Sequence, residues 1–214
     1  MDHDDFDQEP IRGLPQMLPP GERILWQGAP AVRALARDAL KIRWVAGYFL
    51  ALFLWKGVAG LAQADAAASF GAAAFFLVLG AAACALFWAV AWCQAKATVY
   101  TLTDARVVMR IGAALTLTLQ VPFSRIAAAD LDLRGDGTGS IALRTSEGPK
   151  IGYSMLWPHA RPWRFAPAQP SLRCVPDAAR VARMLAEAAQ GRAVAAVPAA
   201  APEISTGAVP VPAE

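Results

Sequence analysis

The chain carries a long apolar run without a single charge, FGAAAFFLVLGAAACALFWAVAW from Phe70 to Trp92. A helix of roughly 20 apolar residues is long enough to cross the hydrocarbon core of a bilayer, so this run predicts a membrane-spanning helix. A second run from Trp44 to Leu61 is interrupted only by Lys56, whose flexible stem lets its ammonium group reach the nearer interface. The sequence therefore predicts a transmembrane hairpin over residues 44–95, with spans 44–61 and 70–92.

Basic residues flank this hairpin but are absent from its connector, AQADAAAS at residues 62–69. The membrane-proximal basic residues are Arg33, Arg37, Lys41, Arg43 and Lys96. Because Lys and Arg are enriched on the cytoplasmic side of membrane proteins, both termini are predicted to be cytoplasmic. The same residues would attract anionic lipid headgroups, by up to about 1 kcal/mol each.

After the hairpin the hydrophobic pattern changes to alternation of apolar and polar residues, which is typical of strands with one buried face. The alternation recurs along TLTLQV (116–121), ADLDLR (129–134) and IALRT (141–145). Turn signals such as GDG at 135–137 separate these segments. Short strands with tight turns favour an antiparallel meander that curls on itself.

One helix is predicted at the end of this region. Asp177 is the expected N-cap, and an apolar stripe follows it and ends before Gly191. The stripe consists of Val181, Met184, Leu185 and Ala188. The predicted fold class is therefore an α+β membrane protein, with a two-helix transmembrane hairpin followed by a PH-like antiparallel β-barrel over residues 96–192 and a C-terminal helix that caps it.

The two ends of the chain have other compositions. Residues 1–43 form a cytoplasmic N-terminal segment, with an acidic, mobile lead-in over the first twenty residues and a short strand near 22–30, ERILWQGAP. Residues 193–214 are rich in Ala, Pro and Val with little charge, which predicts a disordered tail. Cys84, Cys93 and Cys174 form no CxxC pair, so we expect small buried side chains and neither a disulfide framework nor a metal site.

The charge and motif content argue against several classes of function. Residues 96–192 contain thirteen Lys/Arg and seven Asp/Glu, which predicts a basic surface. That charge is spread over the domain, which disfavours nucleic-acid binding. The sequence has no GxSxG, phosphate-binding Gly-rich loop or HExxH motif, so we do not expect an enzyme. Asp130 and Asp132 alternate onto the outer face of a predicted strand and are interpreted as solvated side chains.

The segment WPHARPWRF, residues 157–165, alternates aromatic and basic side chains. Trp and Arg are enriched both in binding hot spots and at membrane interfaces. The candidate partner or membrane contact therefore consists of Trp157, His159, Arg161, Trp163 and Arg164. The alternative is that the aromatic rings fill the open end of the barrel while the arginines are simply solvated.

Several motifs resemble known families when they are taken in order. YTLTDARVVMRIG after a two-span hairpin resembles the bacterial PH-like domain of membrane proteins, whose Y-x-L-T-x-x-R-[VI] strand pair opens the module. Here this pattern consists of Tyr100, Leu102, Thr103, Arg106 and Val107. Residues 18–30 and 157–185 are similar to the photosynthetic complex assembly proteins of purple bacteria.

This resemblance implies a multi-pass protein of the bacterial inner membrane that helps to assemble the photosynthetic reaction centre and its core light-harvesting antenna. The implied partners are reaction-centre and core antenna subunits together with membrane lipid, and no cofactor, catalytic residue or nucleic acid is expected. Oligomeric state stays open, and a homo-oligomer is compatible with the sequence. The alternative is a membrane-anchored PH-like scaffold or lipid-binding module unrelated to photosynthesis.

Overall fold

The computed structural model describes residues 9–113, 115–146 and 152–196, with side chains described through residue 192. The predicted acidic lead-in at residues 1–8 lies outside the described residues. So does the predicted disorder of residues 197–214. Residues 9–14, also assigned to a mobile lead-in by the sequence, instead pack on the domain: Leu14 is buried and Glu9 forms an ion pair with Arg110.

Two long helices precede the sheets, α2 (Ile42–Gly60) and α3 (Ala66–Ala97), and both are long and apolar enough to cross a membrane. Asp65 caps α3, because its carboxylate accepts a hydrogen bond from the Ala68 N–H at 2.8 Å. At 1.5 Å per residue α3 is about 48 Å long, which exceeds the roughly 30 Å hydrocarbon core of a bilayer. Thr98 alone separates α3 from the first strand that follows it.

Small residues allow α2 and α3 to lie close together. A Cβ atom added to Gly57 would come within 2.3 Å of the Phe70 ring, and one added to Gly80 within 2.6 Å of Phe49. A Cβ atom added to Gly47, another glycine of α2, would meet no atom within 4 Å. The helix contact therefore depends on the glycines that face phenylalanine rings, Gly57 and Gly80, and not on Gly47.

The first sheet contains four antiparallel strands in the order β1 (Ile24–Gly28), β2 (Val99–Thr103), β3 (Arg106–Ile111) and β4 (Leu117–Pro122). The tight corner between β2 and β3 is closed by Thr103, whose Oγ1 accepts hydrogen bonds from the Ala105 and Arg106 N–H groups. Arg106 also forms a bidentate ion pair with Glu22, which attaches the segment before β1 to the first sheet.

The second sheet contains β5 (Ile126–Leu133), β6 (Gly139–Thr145) and β7 (Ser171–Val175), all antiparallel. The main core lies between the two sheets and α5 (Ala178–Ala196), and it includes Tyr100, Met109, Leu143 and Leu185. The antiparallel sheets and the C-terminal helix agree with the predicted fold class.

The predicted closed barrel is wrong, because the two sheets do not join into one. The 3-10 turn Phe123–Arg125 carries the chain from β4 to β5 and interrupts the strand between the sheets. At the opposite edges of the two sheets, where β1 and β7 are the outer strands, the Ala31 N–H donates a hydrogen bond to the Cys174 carbonyl at 2.9 Å. The adjacent Pro30 has no N–H, so the pairing cannot extend from there along β1.

Several elements differ from the sequence prediction. Residues 32–39 form a short helix, α1 (Val32–Ala34), that continues as a π-helical turn (Leu35–Ala39). A further short helix, α4 (Tyr153–Leu156), and strand β7 lie in segments for which the sequence predicts no element. Helix α5 passes through Gly191 to Ala196, because one exposed glycine costs a helix only about 1 kcal/mol.

A buried hydrogen-bonded chain connects the end of α3 to both sheets. Tyr100 accepts a hydrogen bond from the Arg173 N–H at 3.1 Å, so its own hydroxyl donates to His159 Nδ1 at 2.6 Å. The neutral ring then carries its proton on Nε2 and donates to Thr98 Oγ1 at 3.1 Å. Burial, together with the nearby Arg173 guanidinium, lowers the pKa of His159 to about 3.

We predict that acid destabilises the fold through His159. The unfolded imidazole has a pKa of about 6.5, so the unfolded state binds more protons than the folded state at any pH between that value and about 3. The free energy of unfolding should therefore fall by about 2 kcal/mol between about pH 7 and pH 5, as measured by chemical denaturation in neutral detergent. Few carboxyl groups titrate in this range.

His159→Gln should be less stable than the native chain at neutral pH but should lose most of this pH dependence. His3→Gln is the matched control, since it removes the only other histidine, and it should keep the dependence. An equal slope in His159→Gln and the native chain would show that another group causes the acid sensitivity.

Candidate functional site

A groove of about 480 Å³ lies on the outer face of the second sheet. Its floor consists of Ser140, Ala142 and Ser171 from β6 and β7. Side chains alternate between the two faces of a strand, and the neighbours Ile141 and Leu172 point into the core. The small residues of the outer face therefore leave an open space above this sheet.

Two segments form the walls of the groove. One is the end of the π-helical turn and the residues before α2, with Asp38 and Lys41. The other is the loop after α4, with Trp157, Arg161 and Trp163. The groove thus brings together the predicted aromatic and basic loop and part of the predicted membrane-proximal basic segment.

The loop residues predicted as a contact surface do not all have the same environment. Trp163 is 86% exposed, Trp157 is 44% exposed and Arg164 is exposed, so the aromatic rings do not fill an open end of the domain. His159 is only 1% exposed, so it is not a surface contact as the sequence suggested. The Ser171 N–H donates a hydrogen bond to the His159 carbonyl, which holds this part of the loop against β7.

Arg161 attaches the loop to β5 through Asp130. The Asp130 carboxylate accepts hydrogen bonds from Arg161 and, at 3.0 Å, from Arg144. Both arginines lower the pKa of Asp130, with Arg161 as the larger cause. Asp130 is therefore a structural anchor of the loop, whereas the side chain of Asp132 is 72% exposed and lies 3.6 Å from Arg134.

The predicted membrane-proximal basic residues also fall into two groups. Arg37 pairs with Asp38 and, at 2.9 Å, with Asp136 of the β5–β6 turn, and hydrogen bonds from Thr138 and Arg37 lower the pKa of Asp136 to about 2. The others are exposed and form no ion pair within the described residues. They are Arg33, Lys41, Arg43 and Lys96.

Arg173 is a residue of the groove that the sequence analysis did not single out. It lines the groove and is only 6% exposed, and its Nη1 donates a hydrogen bond to the Ala160 carbonyl at 3.1 Å. No local sequence pattern marks Arg173, because all five residues of its strand, SLRCV, are buried and their burial does not alternate. Within the described ranges, no group of three His, Cys, Asp or Glu side chains could hold a metal ion.

We predict that Asp130→Asn loosens the loop over residues 157–169. Removal of the carboxylate charge weakens both arginine contacts, because hydrogen bonds between charged groups are roughly twice as strong as neutral ones. Amide hydrogen exchange in this loop should become faster while exchange in β2 and β3 stays unchanged. Asp132→Asn is the matched control and should leave the loop as it is; equal effects of the two changes would contradict an anchoring role for Asp130.

Comparisons with known proteins agree with this architecture. The model of the bacterial PH domain family matches residues 44–189, which include most of α2, all of α3 and strands β2 to β7. An uncharacterized 23.7 kDa protein in the puhA 5′ region of Rhodobacter capsulatus is 46% identical over 193 residues, which cover 89% of this chain and 90% of that protein. No solved structure matches the chain. Because the family match spans more than half of the chain, the chain belongs to the bacterial PH domain family.

Proposed function

We propose that this protein is an integral membrane assembly factor for the photosynthetic reaction centre and core light-harvesting complex, of the same kind as the assembly protein PuhB of purple bacteria. It acts by non-enzymatic binding of the subunits being assembled. The observation that carries the proposal is the 46% identity, over nearly the full length of both chains, to a protein in the puhA photosynthesis gene region.

The proposed location is the bacterial inner membrane, with both termini in the cytoplasm. Helices α2 and α3 are long and apolar enough to span a membrane. Exposed basic residues lie before α2 (Arg33 and Lys41), in its first turn (Arg43) and at the end of α3 (Lys96), while the turn at residues 61–65 has none. This asymmetry supports a cytoplasmic position for the two sheets and the groove.

Two surfaces support a role in binding membrane subunits. The long helices expose large apolar side chains, among them Tyr48, Trp55, Phe75 and Leu86, that are available to other helices within a bilayer. The loop exposes Trp157 and Trp163 beside Arg161, and these are residue types found at the centres of protein interfaces. A membrane subunit with a cytoplasmic segment could contact both surfaces at once.

A second candidate function is a PH-like scaffold that binds lipid and has no role in photosynthesis. The basic residues around the groove favour it, since they would face the anionic surface of the cytoplasmic leaflet. The two candidates differ in their partners: the scaffold would be isolated with lipid alone.

We predict that the tagged protein, isolated in mild detergent from photosynthetically growing cells, co-purifies with reaction-centre or core antenna polypeptides. Mass spectrometry identifies the polypeptides, and near-infrared absorbance reports any pigment bound to them. Changing Trp157, Arg161 and Trp163 to Ala should reduce the recovered subunits about tenfold or more, because truncated hot-spot residues commonly cost at least 2 kcal/mol of binding.

Met17→Ala is the control for this experiment, because Met17 is also exposed and apolar but does not line the groove. It should recover the same subunits as the native chain. A preparation that contains only this protein and lipid would contradict the assembly role and favour the scaffold.

A further inference from the structure

Two cations of the groove have no acidic partner within the described part of the chain. Arg173 is buried, and its Nε atom has no hydrogen-bond acceptor there. Lys41 is exposed and forms no ion pair. A buried arginine without a counter-charge is costly, so Arg173 indicates a ligand that supplies negative charge.

The carboxylates that line the groove do not supply this charge, because arginines already engage them. Asp38 pairs with Arg37 and, at 3.5 Å, with Arg134. Asp130 pairs with both Arg144 and Arg161. The remaining carboxylate, Asp132, is largely exposed and lies nearest to Arg134. Lys41 and Arg173 therefore give the groove positive charge that is not balanced.

The groove extends toward the beginning of α2. A second cavity, of about 590 Å³, shares Asp38, Lys41 and Arg134 with it and is lined further along by Arg43 and Trp44. Lys41, one of the three shared residues, has a left-handed backbone with φ of 55°, an unusual conformation for a residue other than glycine. The two cavities together lead from Arg173 to the exposed Trp44 ring at the start of the helix.

We propose that this groove binds the headgroup of an anionic glycerophospholipid, with the phosphate facing Lys41 and Arg173. The acyl chains leave past Trp44 along α2. The inference rests on the membrane location in the proposed function, but it adds a ligand and the residues that bind it. The groove volume of about 480 Å³ lies within the roughly 300–1,000 Å³ of typical small-molecule pockets.

The position of the groove favours lipid over an acidic protein segment. The cavities end at the residues where a spanning helix begins, which is where lipid headgroups are concentrated. The rim carries Trp44, Trp157 and Trp163, and Trp is enriched at the depth of the headgroups. An acidic segment would supply charge but would not require the path along α2.

The test uses the full chain in a neutral detergent and short-chain probes, with binding measured by titration calorimetry. The probes are dihexanoyl phosphatidylglycerol, dihexanoyl phosphatidylcholine, inorganic phosphate and a Glu-rich peptide. Phosphatidylglycerol should bind at least about tenfold more tightly than each of the others. Lys41→Gln and Arg173→Gln should each weaken its binding about tenfold or more, since each removes a charged hydrogen-bond donor.

Arg33→Gln is the matched control, because Arg33 is exposed in the same segment but lines neither cavity, and it should bind like the native chain. If Arg173→Gln does not fold, Lys41→Gln decides the matter, since Lys41 is exposed. Equal binding of phosphatidylcholine, phosphate or the peptide, or native affinity in Lys41→Gln, would overturn the inference.

This outcome is separable from that of the proposed function. Co-purification of photosynthetic subunits without selective binding of phosphatidylglycerol would contradict only the lipid site. Selective binding without any co-purifying subunit would contradict the assembly role and leave the lipid site in place.

Discussion

The hydrogen-bonded chain through Thr98, His159, Tyr100 and Arg173 is the constraint on which the rest of the domain depends. Its four members belong to the end of α3, the loop after α4, β2 and β7. All of these groups are buried, and a buried polar group that loses its partner costs about 1–3 kcal/mol. The long helix, both sheets and the loop are therefore positioned relative to one another at a single point.

The groove is a consequence of this constraint and of the ion pairs outside it. The buried His159 fixes the inner part of the loop after α4, and the Arg161–Asp130 pair fixes its outer part. The exposed Trp157 and Trp163 therefore lie on a backbone that is held at two points. On the opposite wall, Arg37–Asp136 and Asp38–Arg134 attach the segment before α2 to the turn between β5 and β6. The Arg37–Asp136 pair is exposed and stabilises the fold only weakly, whereas Asp38 is buried beneath Arg134. Together the two pairs set the position of that wall.

The sequence predicts those parts of the fold in which apolar residues form a continuous run or alternate with polar residues along the chain. The apolar runs indicate α2 and α3, and the alternation in β4 and β6 is visible because one face of each strand is more buried than the other. It does not reveal β7, because all five residues of Ser171–Val175 are buried and no alternation appears. Burial of His159 depends on Thr98 and Tyr100, which are 61 and 59 residues away in the chain, so no local pattern contains it.

The direct connection of α3 to β2 suits a protein whose partners are themselves held in a membrane. With Thr98 as the only residue between helix and strand, the domain cannot rotate freely about its anchor, as it could on a Gly- or Pro-rich linker. A soluble partner would gain little from this rigidity, because it can approach from any direction. The proposed partners, lipid headgroups and the cytoplasmic segments of membrane subunits, would lie at a fixed distance from the membrane, and a groove held at that distance would bind them without first losing orientational freedom.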